Sequence, residues 1–135
     1  MKKTLLIITL FITGVCFAQK YEGMEFYPNG KPNFFKTYKV SKGKIEIVKE
    51  VGWHKNGQKQ SEETYKDGEL DGLRTEWYTN GQKRYERTYK DGEIYELYTG
   101  WYENGQKSYE QTHKNGQLIS SKCWDSDGNE TEECN

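Results

Sequence analysis

Beyond position 18 the apolar and aromatic residues never recur at the spacing of a buried helix face. They lie in short segments that alternate with polar side chains, and Asn-Gly or Asp-Gly pairs cut those segments at regular intervals. The pairs are Asp67-Gly68, Asn80-Gly81, Asp91-Gly92, Asn104-Gly105 and Asn115-Gly116, at successive intervals of 13, 11, 13 and 11 residues. Such pairs are the strongest short-range hairpin signal, because a two-residue loop needs positive φ at both positions. The pattern predicts strands of about nine to eleven residues joined by tight turns. The expected fold is all-β: an elongated antiparallel meander of stacked β-hairpins forming a single-layer twisted sheet.

The hairpins are copies of one another. Trp53, Trp77 and Trp101 stand 24 residues apart, and a fourth copy begins at Trp124. Each of the first three opens W-[HY]-x-N-G-Q-K, with Glu62, Glu86, Glu110 and Thr64, Thr88, Thr112 in matching slots. A degenerate first copy reads Phe26-Tyr27-Pro28-Asn29-Gly30-Lys31, with an insertion near Ser41-Lys42-Gly43. The repeats fall near 23–45, 52–72, 73–96 and 97–119, with a last hairpin at 120–135. Drift in the outer copies is what terminal repeats show. A two-residue loop at Asn80-Gly81 would set Trp77 opposite Arg84, Glu76 opposite Tyr85 and Gly72 opposite Tyr89, the last placing a tyrosine over a glycine. A three-residue loop with a bulge at the glycine is the alternative. In the next copy Glu96 would oppose His113.

The phrase W-[HY]-x-N-G-Q-K…E-x-T-Y-K-D-G-E-L-D-G resembles the bacterial variant of the MORN repeat, over about residues 23 to 131. The match is fullest at Trp53–Gly72 and Trp77–Gly92. Trp101–Gly116 keeps the turns but has His113 in the tyrosine slot, and Glu96 stands where the motif has the glycine seen at Gly72. The resemblance implies stacked hairpins used as a protein-binding or scaffolding surface. It also implies, as an alternative, an antitoxin- or immunity-like binding protein, a role at odds with an exported chain.

Export is expected from the first 18 residues. Lys2-Lys3, the apolar stretch Leu5 to Val15 and the small-x-small triplet Cys16-Phe17-Ala18 compose a secretory signal peptide, cleaved after Ala18. Val15 before Cys16 argues against a lipid anchor, since lipoprotein leaders place Gly, Ala or Ser there. The product would reside in the periplasm, at the cell surface or outside the cell, with no transmembrane segment. Losing two of 20 basic residues against 21 acidic ones leaves a net charge of −3. No basic patch points to nucleic acid. The remaining chain has 11 Val, Ile and Leu residues but 11 tyrosines and 4 tryptophans, so aromatic cross-strand pairs must hold the sheet.

Candidate chemistry mostly dissolves into repeat slots. His54 takes the place of Tyr78 and Tyr102, and His113 that of Tyr65 and Tyr89, without the nucleophile and orienting partner of a catalytic base. Glu62, Glu86 and Glu110 form a ladder beside lysines rather than one acid in an apolar pocket. Asp125-Ser126-Asp127-Gly128-Asn129-Glu130 begins like a calcium loop but has Glu130 where glycine belongs, and its residues also suit a hairpin turn. No enzymatic activity, metal or cofactor is expected. Cys123 and Cys134 are an even pair in an oxidising compartment and predict a disulfide across the last turn. A four-residue loop at 127–130 would set them opposite each other, and a two-residue loop diagonal. The candidate binding residues are Trp53, Trp77 and Trp101 with Tyr78 and Tyr102. They would serve a protein or envelope component or, alternatively, a carbohydrate stacked along the tryptophans.

Overall fold

The computed structural model describes residues 4–7, 19–41, 43–132 and 134. Cys16 and the expected cleavage point after Ala18 lie outside the described residues. The strands are β1 (Thr4–Ile7), β2 (Gln19–Phe26), β3 (Pro32–Ser41), β4 (Lys44–Trp53), β5 (Lys59–Lys66), β6 (Glu69–Leu70), β7 (Gly72–Trp77), β8 (Lys83–Lys90), β9 (Glu93–Trp101), β10 (Lys107–Lys114), β11 (Gln117–Trp124) and β12 (Glu130–Thr131). They make one open antiparallel sheet in sequence order, with β6 and β7 forming one interrupted strand beside β5. The accessible surface is 9401 Å². A compact globule of this mass would expose about 7,400 Å², so the excess reflects an extended sheet with little interior.

The two rims of the sheet use different turns. At Asp67-Gly68, Asp91-Gly92 and Asn115-Gly116 both residues have positive φ (53° and 90° in the first pair), giving the two-residue hairpins expected. At the Asn-Gly rim only the glycine is positive, 87° at Gly81. The Gly81 N–H donates to the Tyr78 carbonyl and Tyr78 N–H to Gln82, which closes a three-residue loop with a bulge. Trp77 therefore faces Lys83 rather than Arg84, while Glu76 still faces Tyr85 and Gly72 still faces Tyr89. The bulge reconciles these pairs: it takes up one residue between Lys83 and Tyr85. Glu96 does oppose His113.

The insertion in the first copy lengthens strands instead of swelling a loop. Val40 pairs with Ile45 and Ser41 with Lys44 before the chain turns. Gly72 and Glu96 sit where the strand kinks after the second turn, at φ 100° and 61°. The repeat prefers glycine here because this left-handed backbone is costly for a side chain.

Among the described residues, the buried apolar ones are Val51, Tyr89 and Cys123, joined by Thr37, Thr75 and Thr99. Val51, Thr75 and Thr99 share one slot two residues before each tryptophan. The neighbouring slot holds Gly52 and Gly100, and there an aromatic ring from an adjacent strand, the preceding one for Gly52 and the following one for Gly100, lies over the backbone. A Cβ at Gly100 would come within 2.3 Å of the Tyr109 ring, and one at Gly52 within 3.1 Å of Phe34. The expected tyrosine over Gly72 is thus corrected. Gly72 does pair with Tyr89, but the atom over it is Thr64 Oγ1, which hydrogen-bonds the Asp71 carbonyl at the kink.

Cys123 and Cys134 are disulfide-bonded, with Cα atoms 5.3 Å apart. Neither anticipated register applies. The last turn is another three-residue loop at 126–128, Cys123 pairs with Thr131, and the chain bends back beyond β12 to bring Cys134 round.

Candidate binding surface

Each tryptophan ends a strand at the Asn-Gly rim, so the repeat sets Trp53, Trp77, Trp101 and Trp124 in a row, all half-buried. Trp53, Trp77 and Trp101 pair within their hairpins with Lys59, Lys83 and Lys107. Each ammonium then reaches forward over the next tryptophan, 5.0 Å from Trp77, 5.5 Å from Trp101 and 5.3 Å from Trp124. The same lysines bind Glu62, Glu86 and Glu110 at 2.6 Å. Cations and rings therefore alternate along the sheet. One face of each of Trp77, Trp101 and Trp124 is thus covered by a lysine ammonium.

The glutamates behave as a surface ladder. They alternate with the buried Thr75 and Thr99 across the strands. Hydrogen bonds from Lys49 and then Lys59 hold the Glu62 carboxyl below its ordinary range, opposite to the shift a general acid needs. Asp125 is also held low, by the Asn129 side chain and by N–H groups of its own turn. Its carboxylate organises the hairpin.

Tyr78 and Tyr102 join the repeats. Tyr27, Tyr78 and Tyr102 donate their hydroxyls to the carbonyls of Trp53, Trp101 and Trp124 at 2.7, 2.8 and 2.9 Å. His54 fills the same slot and places Nε2 2.8 Å from the Trp77 carbonyl. A carbonyl only accepts, so Nε2 carries the proton. The imidazole thus replaces a phenol as a strut, as its slot implied. His113 lies opposite Leu118 and Glu96.

Two features of the surface were not foreseen. Of the 11 aliphatic residues after position 18, five are exposed: Ile45, Leu73, Leu97, Leu118 and Ile119. All lie within a few residues of the rim opposite the tryptophans, and Tyr95 joins them. The count of aliphatics was legible in the sequence, but where they fall was not, because bulges decide which side chains turn outward.

The second feature is a network of charges and rings across the sheet's centre. Lys36 pairs with Glu50 at 2.8 Å, and Arg74 contacts Glu63 at 2.9 Å and Glu76 at 2.7 Å. Further along, Arg87 is sandwiched between Tyr85 and Tyr98 at 4.3 and 4.2 Å. It donates to the hydroxyls of Tyr89 and Tyr98, and Tyr109 hydrogen-bonds Tyr98 in turn. Burial and a bond to Glu76 push the Tyr85 phenol up to about 12, and burial raises Tyr109 as well.

Side-by-side hairpins of one design, tied through their turns and open at both faces, define a β-hairpin repeat protein. Residues 48–67, 70–91 and 97–115 match the family model of the MORN repeat variant, a span of about half the chain. The protein belongs to that family, which suggests a binding or scaffolding role. No curated protein and no solved structure matches the chain. Among the described residues, no helix is long and apolar enough to cross a membrane.

Proposed function

We propose that this chain is an exported, non-enzymatic scaffold whose open sheet binds a protein partner at the cell envelope or outside the cell. The observation that carries this reading is the placement of its scarce aliphatic side chains. A sheet so poor in Val, Ile and Leu would gain most by covering them, yet Leu73, Leu97, Leu118 and Ile119 face solvent. Aliphatic side chains exposed along one rim offer a partner apolar area to cover. The row of Trp53, Trp77 and Trp101 supplies large, rigid rings beside charged lysines, a composition favoured in interfaces. The leader-like first 18 residues support export.

The test is affinity capture from an envelope fraction with the wild-type protein and a Leu73→Ser, Leu97→Ser variant. Both substitutions lie on the surface, so the unfolding midpoint should hold while a reproducible partner is lost. Equal recovery of that partner by both proteins would remove the interface from this surface. Export is tested separately by sequencing the N-terminus of the secreted protein, which should begin at Gln19.

A further inference from the structure

The tyrosine–arginine cluster breaks the repeat. Positions 84 and 87 hold arginine, where the copies before and after have Gln60 and Ser108, and Glu63 and Gln111. Repeated contacts explain repeated residues; they do not explain these two. Arg74, one strand away, is neutralised by Glu63 and Glu76. Arg84 and Arg87 form no salt bridge among the described residues, and both rest on the ring of Tyr85, at 5.7 and 4.3 Å. Two uncompensated guanidinium groups thus share one patch of a chain whose overall charge is −1.

The patch is concave. Arg84, Arg87, Tyr78, Tyr85, Tyr98 and Tyr109 contribute to a shallow pocket of about 320 Å³, at the lower end of the small-ligand range. Its donors are not used up. Arg87 Nε is shielded from solvent, so the guanidinium open to a ligand is that of Arg84. The Tyr98 hydroxyl accepts from both Arg87 and Tyr109, which leaves its own hydrogen to donate. Arg84 is exposed, its guanidinium set against the rings of Tyr78 and Tyr85.

We propose that this pocket binds an acidic saccharide through its carboxylate, a uronate unit being the simplest case. Arginine meets a carboxylate with paired, charge-assisted bonds, and the phenol hydroxyls and ring edges around it suit the hydroxyls and C–H surface of a sugar. A peptide strand suits the place less well. The main chains of β8 and β9 are paired on both sides, so no sheet edge is open there, and recognition must run through side chains. The site is separate from the exposed leucines and does not rest on their role.

The experiment is a titration of the purified protein with glucuronate, followed by tyrosine and tryptophan fluorescence and by NMR shifts. Glucose, succinate and a Glu-rich peptide are the comparison ligands. Glucuronate should saturate, with glucose and succinate each at least about tenfold weaker, since each lacks one half of the recognition. Arg84→Gln should weaken glucuronate about tenfold without moving the unfolding midpoint, and Leu73→Ser with Leu97→Ser should leave it unchanged. The proposal is overturned if glucuronate does not saturate at tens of millimolar, if Arg84→Gln binds it as well as wild type, or if succinate or the peptide binds more tightly.

Discussion

The two rims of this sheet carry the same kind of dipeptide and treat it differently. At the Asp-Gly rim the turn is self-sufficient: both residues adopt positive φ, and the main link to a neighbouring repeat is one backbone bond, Gly92 N–H to the Leu70 carbonyl at 3.0 Å. At the Asn-Gly rim each turn is braced by the one before it. Asn80 Oδ1 accepts from its own loop at Gln82 N–H, while Nδ2 donates across to the Glu103 carbonyl at 2.8 Å. Asn29, Asn56 and Asn104 reach to the next repeat in the same way, and a tyrosine or histidine adds a second strut beside each. One rim is therefore a staircase of fixed contacts, and the other a row of independent turns edged with exposed aliphatics. The array is tied where each repeat can reuse the same polar bond, and leaves aliphatic side chains exposed where it does not.

The largest expected effect tests the covalent closure of the hairpin at Cys123 and Cys134. The last turn is braced by Asn104 and Tyr102 as the earlier ones are by their predecessors, and in this hairpin alone the Cys123–Cys134 bond adds a covalent closure among the described residues. Replacing both cysteines with serine should cost on the order of 2–3 kcal/mol, read as a lower denaturant midpoint and faster amide exchange in β11. An unchanged midpoint would mean the last hairpin is held by its strand pairing alone.

Next in size is Asn80→Ala, which removes two hydrogen bonds and should cost on the order of 2 kcal/mol. Asp91→Asn on the opposite rim should cost less than about 0.5 kcal/mol, because asparagine tolerates the same backbone. Equal costs, measured by chemical denaturation, would erase the distinction between the rims. Smaller and opposite in sign is Glu96→Gly. At φ 61° the glutamate strains the kink that Gly72 makes freely, so glycine should stabilise by about 0.5–1 kcal/mol. A loss of stability there would show that the Glu96 side chain contributes more than its backbone costs.

The gentlest probe is alkaline pH. Folded Tyr85 keeps its proton up to about 12, and Tyr65 and Tyr109 are raised too, whereas unfolded phenols ionise near 10. A raised folded pKa stabilises below the unfolded value, so stability should be complete below pH 10 and decline from there toward pH 12. Absorbance titration should find a late-ionising class among the 11 tyrosines, lost on unfolding. A single class titrating near pH 10 would mean that the phenols of the central cluster are open to solvent.

Much of this architecture was readable beforehand. Turn residues act within a few positions of themselves, so the order of hairpins, the repeat length and the Lys-flanked glutamate ladder followed from spacing. For the same reason His54 and His113 stand in slots that hold aromatic rings in the other copies. Of the two loops the spacing allows at Asn80-Gly81, the structure has the three-residue one with a bulge, so Trp77 faces Lys83; the choice rests on asparagine keeping a negative φ while its side chain bonds to the next repeat. The tyrosine expected over Gly72 is likewise absent: rings lie instead over Gly52 on β4 and Gly100 on β9, in the slot before the tryptophan. Alternation along β8 alone puts Tyr85 and Arg87 on one face, but the Tyr98 ring that closes over Arg87 comes from β9 and depends on the register between the two strands.

The sequence by itself determined the all-β class, the meander, the positions of the turns and the pairing of the two cysteines, all of which rest on local backbone preference and counting. The tertiary structure alone decided which rim is braced, which aliphatics stay exposed and which arginines lack a counter-charge. Those depend on register, and in a sheet a one-residue bulge changes which side chains share a face.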